Sequence, residues 1–117
     1  MHRRAIIAIL PLLLLGVGEA MAHAYLDHAS PLVGSTVATA PSQVTLWFTQ
    51  QLEASFSTMS VTNSSGQRVD SGRVSVSGNT MRVSIRGTGA GTYRVTWRVL
   101  SVDTHTTQGN FTFRVGR

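Results

Sequence analysis

The sequence predicts an all-β domain, an antiparallel β-sandwich of immunoglobulin-like or Greek-key type with about seven short strands. Three observations predict this fold class. Apolar and polar residues alternate with a period of two in several short runs, as they do on strands with one buried face. Turn-forming clusters separate these runs, as in Asn63-Ser64-Ser65-Gly66 and Ser77-Gly78-Asn79. No stretch beyond the N-terminal apolar run has the apolar spacing of a helix.

The first half of the domain contains three candidate strands and one long loop. The strands are predicted over His23 to His28, Gln43 to Thr49 and Phe56 to Thr62. Pro31 to Pro41 contains two prolines and Gly34, so this stretch is predicted to be a loop. Trp47 points away from Leu46 and Phe48, and it is expected to cover the other face of its sheet or to be partly exposed.

The second half contains four candidate strands, of which the third has the clearest pattern. They are Arg68 to Val76, Met81 to Ile85, Thr92 to Leu100 and Asn110 to Val115. Thr92 to Leu100 alternates strictly, which places Trp97 in the core. Met59 and Met81 lie on the apolar faces of their strands, where methionine usually fills space in the core. The final strand is predicted to turn Phe111, Phe113 and Val115 inward.

The N-terminus has the three-part layout of a secretory signal peptide. A short basic region, Met1 to Arg4, precedes an uncharged apolar run from Ala5 to Val17. Ala20-Met21-Ala22 then has the small-x-small form that signal peptidase accepts. We expect residues 1–22 to be a signal peptide and residues 23–117 to be the mature domain, which then begins with His23. The alternative is an uncleaved anchor, although the apolar run is shorter than the roughly 20 residues of a membrane span.

The composition excludes several classes of function. The full chain has a net charge of +5, but beyond Arg3 and Arg4 its arginines are spread singly along the sequence with no basic run, so nucleic-acid binding is not predicted. The chain contains no cysteine, which excludes disulfides and thiolate chemistry and leaves histidine, carboxylate or methionine as metal ligands. No G-x-S-x-G elbow or triad spacing is present, and the protein is not predicted to be an enzyme.

A carboxylate and an imidazole, Asp103 and His105, lie on the predicted loop between the last two strands. A third candidate ligand, His23, arises only through cleavage, because an N-terminal histidine can chelate one metal ion through its free α-amine and its ring Nδ1. Loops cluster at the ends of a sandwich, so the start of the first strand can lie beside this loop. A mixed nitrogen and oxygen ligand set favours Cu(II), and we expect one Cu(II) ion per chain.

Several motifs extend along the whole mature sequence. They begin at the N-terminus with His23-Ala24, Ser30-Pro31-x-x-Gly34, Pro41-x-x-Val44-x-Leu46-x-Phe48 and Leu52-Glu53-x-x-Phe56. The most specific block is Gly91-Thr92-Tyr93-x-Val95-x-Trp97-Arg98-Val99-x-Ser101-x-Asp103-x-His105, followed by Gly109-x-Phe111-x-Phe113. In these motifs the chain resembles the CopC family of periplasmic copper-binding proteins.

The resemblance implies a Greek-key sandwich or barrel that holds Cu(II) in the periplasm through His23, Asp103 and His105. It also implies a role as copper carrier or buffer in copper homeostasis or resistance, with an inner-membrane, CopD-like copper transporter as a partner. We expect a monomer that does not insert into the membrane after cleavage. The chain departs from the family pattern in two respects: Thr104 and Thr106 flank His105 where Gly and Pro are expected, and no Met-rich Cu(I) loop is present.

Two other functions remain open at this point. A terminal histidine also holds copper in oxidative enzymes that act on polysaccharides, although a domain of this size has little room for a broad substrate face. The chain is alternatively a metal-free sandwich that serves as an interaction module. His28 is expected to be exposed or locally hydrogen-bonded, with Asp27 and Glu53 on the solvated surface. Arg98 either bonds Asp103 or faces solvent.

Overall fold

The computed structural model describes residues 24–116, which form two four-stranded β-sheets packed face to face. The strands are β1 (Leu26–Ser30), β2 (Thr36–Val37), β3 (Gln43–Phe48), β4 (Thr58–Thr62), β5 (Asp70–Ser77), β6 (Thr80–Ile85), β7 (Gly91–Leu100) and β8 (Thr106–Val115). One sheet has the order β1-β3-β6-β5 and the other β2-β8-β7-β4. This β-sandwich confirms the predicted fold class. The predicted signal peptide and His23 lie outside the described residues.

The longest antiparallel pair, β7 with β8, arises directly from the alternating sequence. Their register runs from Gly91 opposite Val115 to Leu100 opposite Thr106. Every second residue of β7 from Tyr93 onward is buried, as are Phe111, Phe113 and Val115 of β8. Because successive side chains of a strand point to opposite faces, the other set faces solvent. The inward positions predicted for both strands are therefore confirmed.

The core lies between the sheets and contains both methionines of the domain. Met59 is 3% exposed and Met81 is fully buried, as their positions on apolar strand faces predicted. Trp97 is also buried and meets Phe48 edge-on, with 5.1 Å between ring centroids. Burial of each such side chain contributes about 1.5–3 kcal/mol to folding. These residues join the two sheets and hold the loops at each end in fixed positions.

Three predicted elements differ from the structure. The last strand, predicted over Asn110 to Val115, begins earlier, at Thr106. The stretch from Pro31 to Pro41 contains the short strand β2, which runs parallel to β8 and pairs with Arg114 and Val115. It forms because the backbone groups at this edge of β8 need partners; Gly34 N–H, for example, donates to Thr112 O at 2.8 Å. Phe56, predicted to begin a strand, belongs instead to a single 3-10 turn (Ala54–Phe56) and is exposed.

One end of the sandwich gathers several connections. The five residues from Ser101 to His105 link β7 to β8, and Ser101 forms an isolated bridge with Leu52. Glu53 N–H also donates to Leu100 O at 2.8 Å. The part of the chain that the structure describes has no helix with the length and apolar character needed to cross a membrane.

Candidate metal centre

The loop between β7 and β8 is closed by its own backbone. Ser101 N–H donates to His105 O at 3.0 Å, and Thr104 N–H donates to Ser101 O at 2.9 Å. Val102 N–H donates to Gln51 O at 3.0 Å, which ties the loop to the connection after β3. Thr104 has a left-handed backbone with φ of 72°, the one residue other than glycine with positive φ among residues 24–116. The sharp turn at Thr104 brings the residues on either side of it together.

Asp103 and His105 converge on one side of this loop. Asp103 Oδ1 lies 3.4 Å from His105 Nδ1, and both side chains are partly exposed. The Ser101 hydroxyl donates to Asp103 Oδ1, and this hydrogen bond, supported by His105, lowers the pKa of the Asp103 carboxyl. Asp103 is therefore a carboxylate over a wider pH range than an ordinary aspartate, so it can bind a cation without first losing a proton.

Ser101 is buried beneath the loop and stabilises it by hydrogen bonds, a role that was not predicted from the sequence. It is fully buried, its backbone closes the loop, and its oxygen accepts a hydrogen bond from His105 N–H at 3.3 Å. The signal was a serine placed two residues before an aspartate, a spacing at which hydroxyls and carboxylates often bond locally.

The N-terminal end of the described chain lies beside the start of β8. The Thr107 hydroxyl donates to Ala24 O at 2.5 Å, and Ala24 is fully buried. Tyr25 and Thr49 exchange hydrogen bonds of 2.9 Å, which hold the same segment against the end of β3. Ala24, the residue that follows His23, is therefore held beside Thr107, which lies two positions after His105 in the sequence. Thr107 has no distinctive pattern in the sequence.

The described residues bring together two of the three predicted ligands. Within residues 24–116 no group of three or more His, Cys, Asp or Glu side chains could hold a metal ion. His23 lies outside these residues, so the three-ligand site stays a prediction. A carboxylate beside an imidazole is a donor pair that suits Cu(II), and it leaves room for further nitrogen ligands.

A second pair of the same residue types, Asp27 and His28, lies on β1. His28 Nδ1 is 2.7 Å from Asp27 Oδ2, and the ring stacks on Trp47 with 4.3 Å between centroids. His28 is thus exposed and locally hydrogen-bonded, as predicted, and Trp47 is partly exposed. Arg98 lies on the outer face of β7 opposite Gln108 and faces solvent, which was one of its two predicted positions.

Comparison with known proteins relates the chain to proteins named for copper. The CopC domain family model matches residues 26–116. The chain is 35% identical over 114 residues to Copper resistance protein C of Escherichia coli, covering 88% of this chain and 90% of that protein. It is 32% identical over 100 residues to Copper transport protein CutJ of Bacillus subtilis, covering 82% of this chain but only 18% of that protein.

A solved structure gives the same result for the fold. The crystal structure of CopC from Methylosinus trichosporium OB3b superposes with a TM-score of 0.71 at 31% identity. The match covers 80% of this chain and 94% of that one. The sandwich, its strand pattern and the family match over 26–116 agree, and the chain belongs to the CopC family.

Proposed function

We propose that the protein is a periplasmic Cu(II) carrier or buffer that acts in copper homeostasis or resistance. Residues 1–22 direct export and are removed after Ala22, and the mature monomer binds one Cu(II) ion. The ligands are the α-amine and ring of His23, the carboxylate of Asp103 and the ring of His105. The chain is a binding protein rather than an enzyme, as are the copper resistance proteins of its family.

The hydrogen bond between Thr107 and Ala24 carries this proposal. Consecutive Cα atoms are about 3.8 Å apart, so the contact of Ala24 with Thr107 supports the proposal that His23 lies within reach of the 101–105 loop. Asp103 and His105 supply a carboxylate and an imidazole within 3.4 Å of each other. An N-terminal amine and a second imidazole complete a nitrogen-rich set that suits Cu(II).

The partner is proposed to be an inner-membrane, CopD-like copper transporter. The copper transport protein CutJ is matched over only 18% of its length, so in that relative a domain of this family is joined to a much longer chain. A free domain that passes copper to a separate transport protein would couple copper binding to copper transport in the same way, without a covalent link between the two.

The test is Cu(II) titration of the mature protein, with its first residue and copper stoichiometry read by mass spectrometry. The matched variant His23→Ala removes the ring, and with it the chelate, while it keeps the N-terminal amine and the sandwich. We expect binding to weaken by more than about 100-fold, because losing even a group that only hydrogen-bonds to a ligand costs about 10–100-fold. Binding should also weaken on acidification, since the amine and the imidazoles must shed their protons before they can bind the metal.

The chain offers an internal control for the loop ligands. Asp103→Ala with His105→Ala should abolish tight binding, whereas Asp27→Ala with His28→Ala removes the same two residue types from β1 and should leave affinity unchanged. Equal copper affinity of His23→Ala and the native protein would contradict the role of His23. Absence of copper uptake by the correctly processed protein would favour a metal-free interaction module.

A further inference from the structure

The outer face of the sheet β2-β8-β7-β4 carries three arginines that are not adjacent in the sequence. Arg94 and Arg98 lie on the solvent side of β7, and Arg114 lies on the same side of β8. All three are exposed, and directly opposite them on the paired strand are Thr112, Gln108 and Thr92, respectively. We call this surface the Arg face. The fold thus gathers cations that show no clustering along the chain.

The charges on the Arg face are not neutralised by acidic side chains. Arg94 Nη1 donates to Asn110 Oδ1 at 2.5 Å, and Arg114 Nη1 donates to Thr92 Oγ1 at 2.9 Å, so neutral oxygens orient both guanidinium groups. Among residues 24–116, none of the three arginines forms an ion pair. The acidic residues of this region lie on β1, on β5 and in the loops: Asp27, Glu53, Asp70 and Asp103.

The chemistry of the face favours a phosphate-rich surface over a protein partner. Stable protein interfaces have a core of aromatic and aliphatic side chains, and the residues around these arginines are threonine, glutamine and asparagine. Each guanidinium presents a planar fork of N–H donors that matches phosphate oxygens. Arg94 and Arg98 are four residues apart on one strand, a separation of about 13 Å, so they reach different phosphates.

A groove beside Arg98 adds neutral donors to the cationic ones. It has a volume of about 750 Å³ and is lined by polar residues that include Ser60, Thr96, Gln108 and Asn110, together with the apolar Met59, Val74 and Trp97. Hydroxyl and carboxamide groups donate hydrogen bonds to phosphate and glycerol oxygens without adding charge. A lipid headgroup can enter here while the flanking arginines contact its neighbours.

We propose that the Arg face docks the protein peripherally onto a bilayer rich in anionic phospholipid. The contact requires no apolar insertion and no copper, and it orients the sheet β2-β8-β7-β4 toward the membrane. Each basic residue close to an anionic bilayer strengthens binding about fivefold, so three give about 100-fold. The association is reversible and weakens as salt screens the charges.

The test is cosedimentation of the mature, copper-free protein with vesicles of phosphatidylglycerol and phosphatidylcholine in about equal parts. Pure phosphatidylcholine vesicles serve as the neutral reference. We expect binding to the anionic vesicles only, with loss on raising salt from about 50 to 500 mM, where the screening length falls below about 5 Å. The triple variant R94Q/R98Q/R114Q should bind about 100-fold more weakly.

A second triple variant distinguishes the contribution of the Arg face to vesicle binding from that of the total net charge. R73Q/R82Q/R86Q removes three arginines from β5, β6 and the segment after β6, on the other sheet, and it should bind within about threefold of the parent. Circular dichroism of both triples verifies the fold, and R94K/R98K/R114K, which keeps the charges, should restore most of the binding. No binding of the parent to anionic vesicles at low salt, or equal losses in the two glutamine triples, would overturn the proposal. So would complete release by soluble glycerol phosphate at the vesicle phosphate concentration, because the groove would then be a small-anion site.

Discussion

Thr104 adopts a left-handed backbone between the two proposed loop ligands, Asp103 and His105. A β-branched residue is strained there, at a cost of about 1–2 kcal/mol, and asparagine tolerates this region better. We therefore expect Thr104→Asn to raise the free energy of unfolding by about 0.5–1 kcal/mol, measured by urea denaturation. The gain is less than the full strain because the Thr104 hydroxyl loses its 2.5 Å hydrogen bond to Asp103 O.

Thr106 provides the control for that substitution. It begins β8 with an extended backbone and pairs with Leu100, so asparagine there removes a β-branched residue without relieving strain. Thr106→Asn should lower stability by about 0.5 kcal/mol. If both variants shift stability in the same direction, the strain assigned to Thr104 is wrong.

At the residue scale, the sequence was enough to propose Asp103 and His105 as ligands but not to find Ser101, which bonds to both. The two ligand types are recognisable by their chemistry and by their place in a loop. Ser101 became informative only once its burial and its bonds to Asp103 and His105 were known, because serine is common in loops of every kind.

The packing of β7 against β8 depends on the absence of a side chain at Gly109. A Cβ atom at this position would lie 2.7 Å from Cζ2 of Trp97, well inside van der Waals contact. We expect Gly109→Ala to lower the free energy of unfolding by about 1–3 kcal/mol, since the indole must shift in a packed core. Urea unfolding followed by tryptophan fluorescence measures this change.

Gly89→Ala is the matched control for Gly109→Ala. A Cβ atom at Gly89 meets nothing within 4 Å, and its backbone is not in the left-handed region. Its stability should stay within about 0.5 kcal/mol of the parent. Equal effects at the two glycines would mean that Trp97 does not pack as described.

Strands with one buried face could be predicted from alternation, and the others could not. β7 and the second half of β8 have the clearest pattern, because β7 from Tyr93 and β8 from Phe111 bury every second side chain. β2 has only two residues, and it forms because it pairs with Arg114 and Val115 at the edge of β8. No local sequence pattern reveals such a pairing. Phe56 fits an apolar alternation but lies in a turn, because Phe56 N–H bonds back to Glu53 O at 3.1 Å.

At the scale of the molecule, the fold brings together residues that are far apart in sequence. Ala24 and Thr107 are 83 positions apart and share a hydrogen bond, and this contact supports placing His23 near the loop. Arg94 and Arg114 lie 20 positions apart and share one face. From the sequence, sandwich topology only allowed the N-terminus to lie near the loop, and the arginines were interpreted as dispersed. Strand register within one sheet was needed to bring the arginines together, and the packing of the two sheets was needed for the contact of Ala24 with Thr107.

Asp70 links the two sheets through a buried carboxylate. Its Oδ2 accepts a hydrogen bond from Val61 N–H of β4 at 2.8 Å, and its Oδ1 accepts one from Gly72 N–H of its own strand at 2.9 Å. Arg68 donates to the same group at 2.7 Å, and the Asp70 side chain is fully buried. Burial raises the pKa of the carboxyl, but Arg68 and the two backbone donors outweigh it, so the pKa is lowered.

A lowered pKa in the folded state makes this link dependent on pH. Its contribution is fully present above the unfolded pKa of about 3.9 and is lost as pH falls through the lower folded value. We expect Asp70→Asn to cost about 2 kcal/mol at pH 7, where a charged acceptor is lost, and distinctly less at pH 3. Urea unfolding of parent and variant at both pH values measures the difference. Asp27→Asn, at an exposed carboxylate on β1, should change stability by less than about 0.5 kcal/mol at either pH. A cost at Asp70 that stays constant between pH 7 and pH 3 would show that the carboxylate's charge does not contribute to joining the sheets.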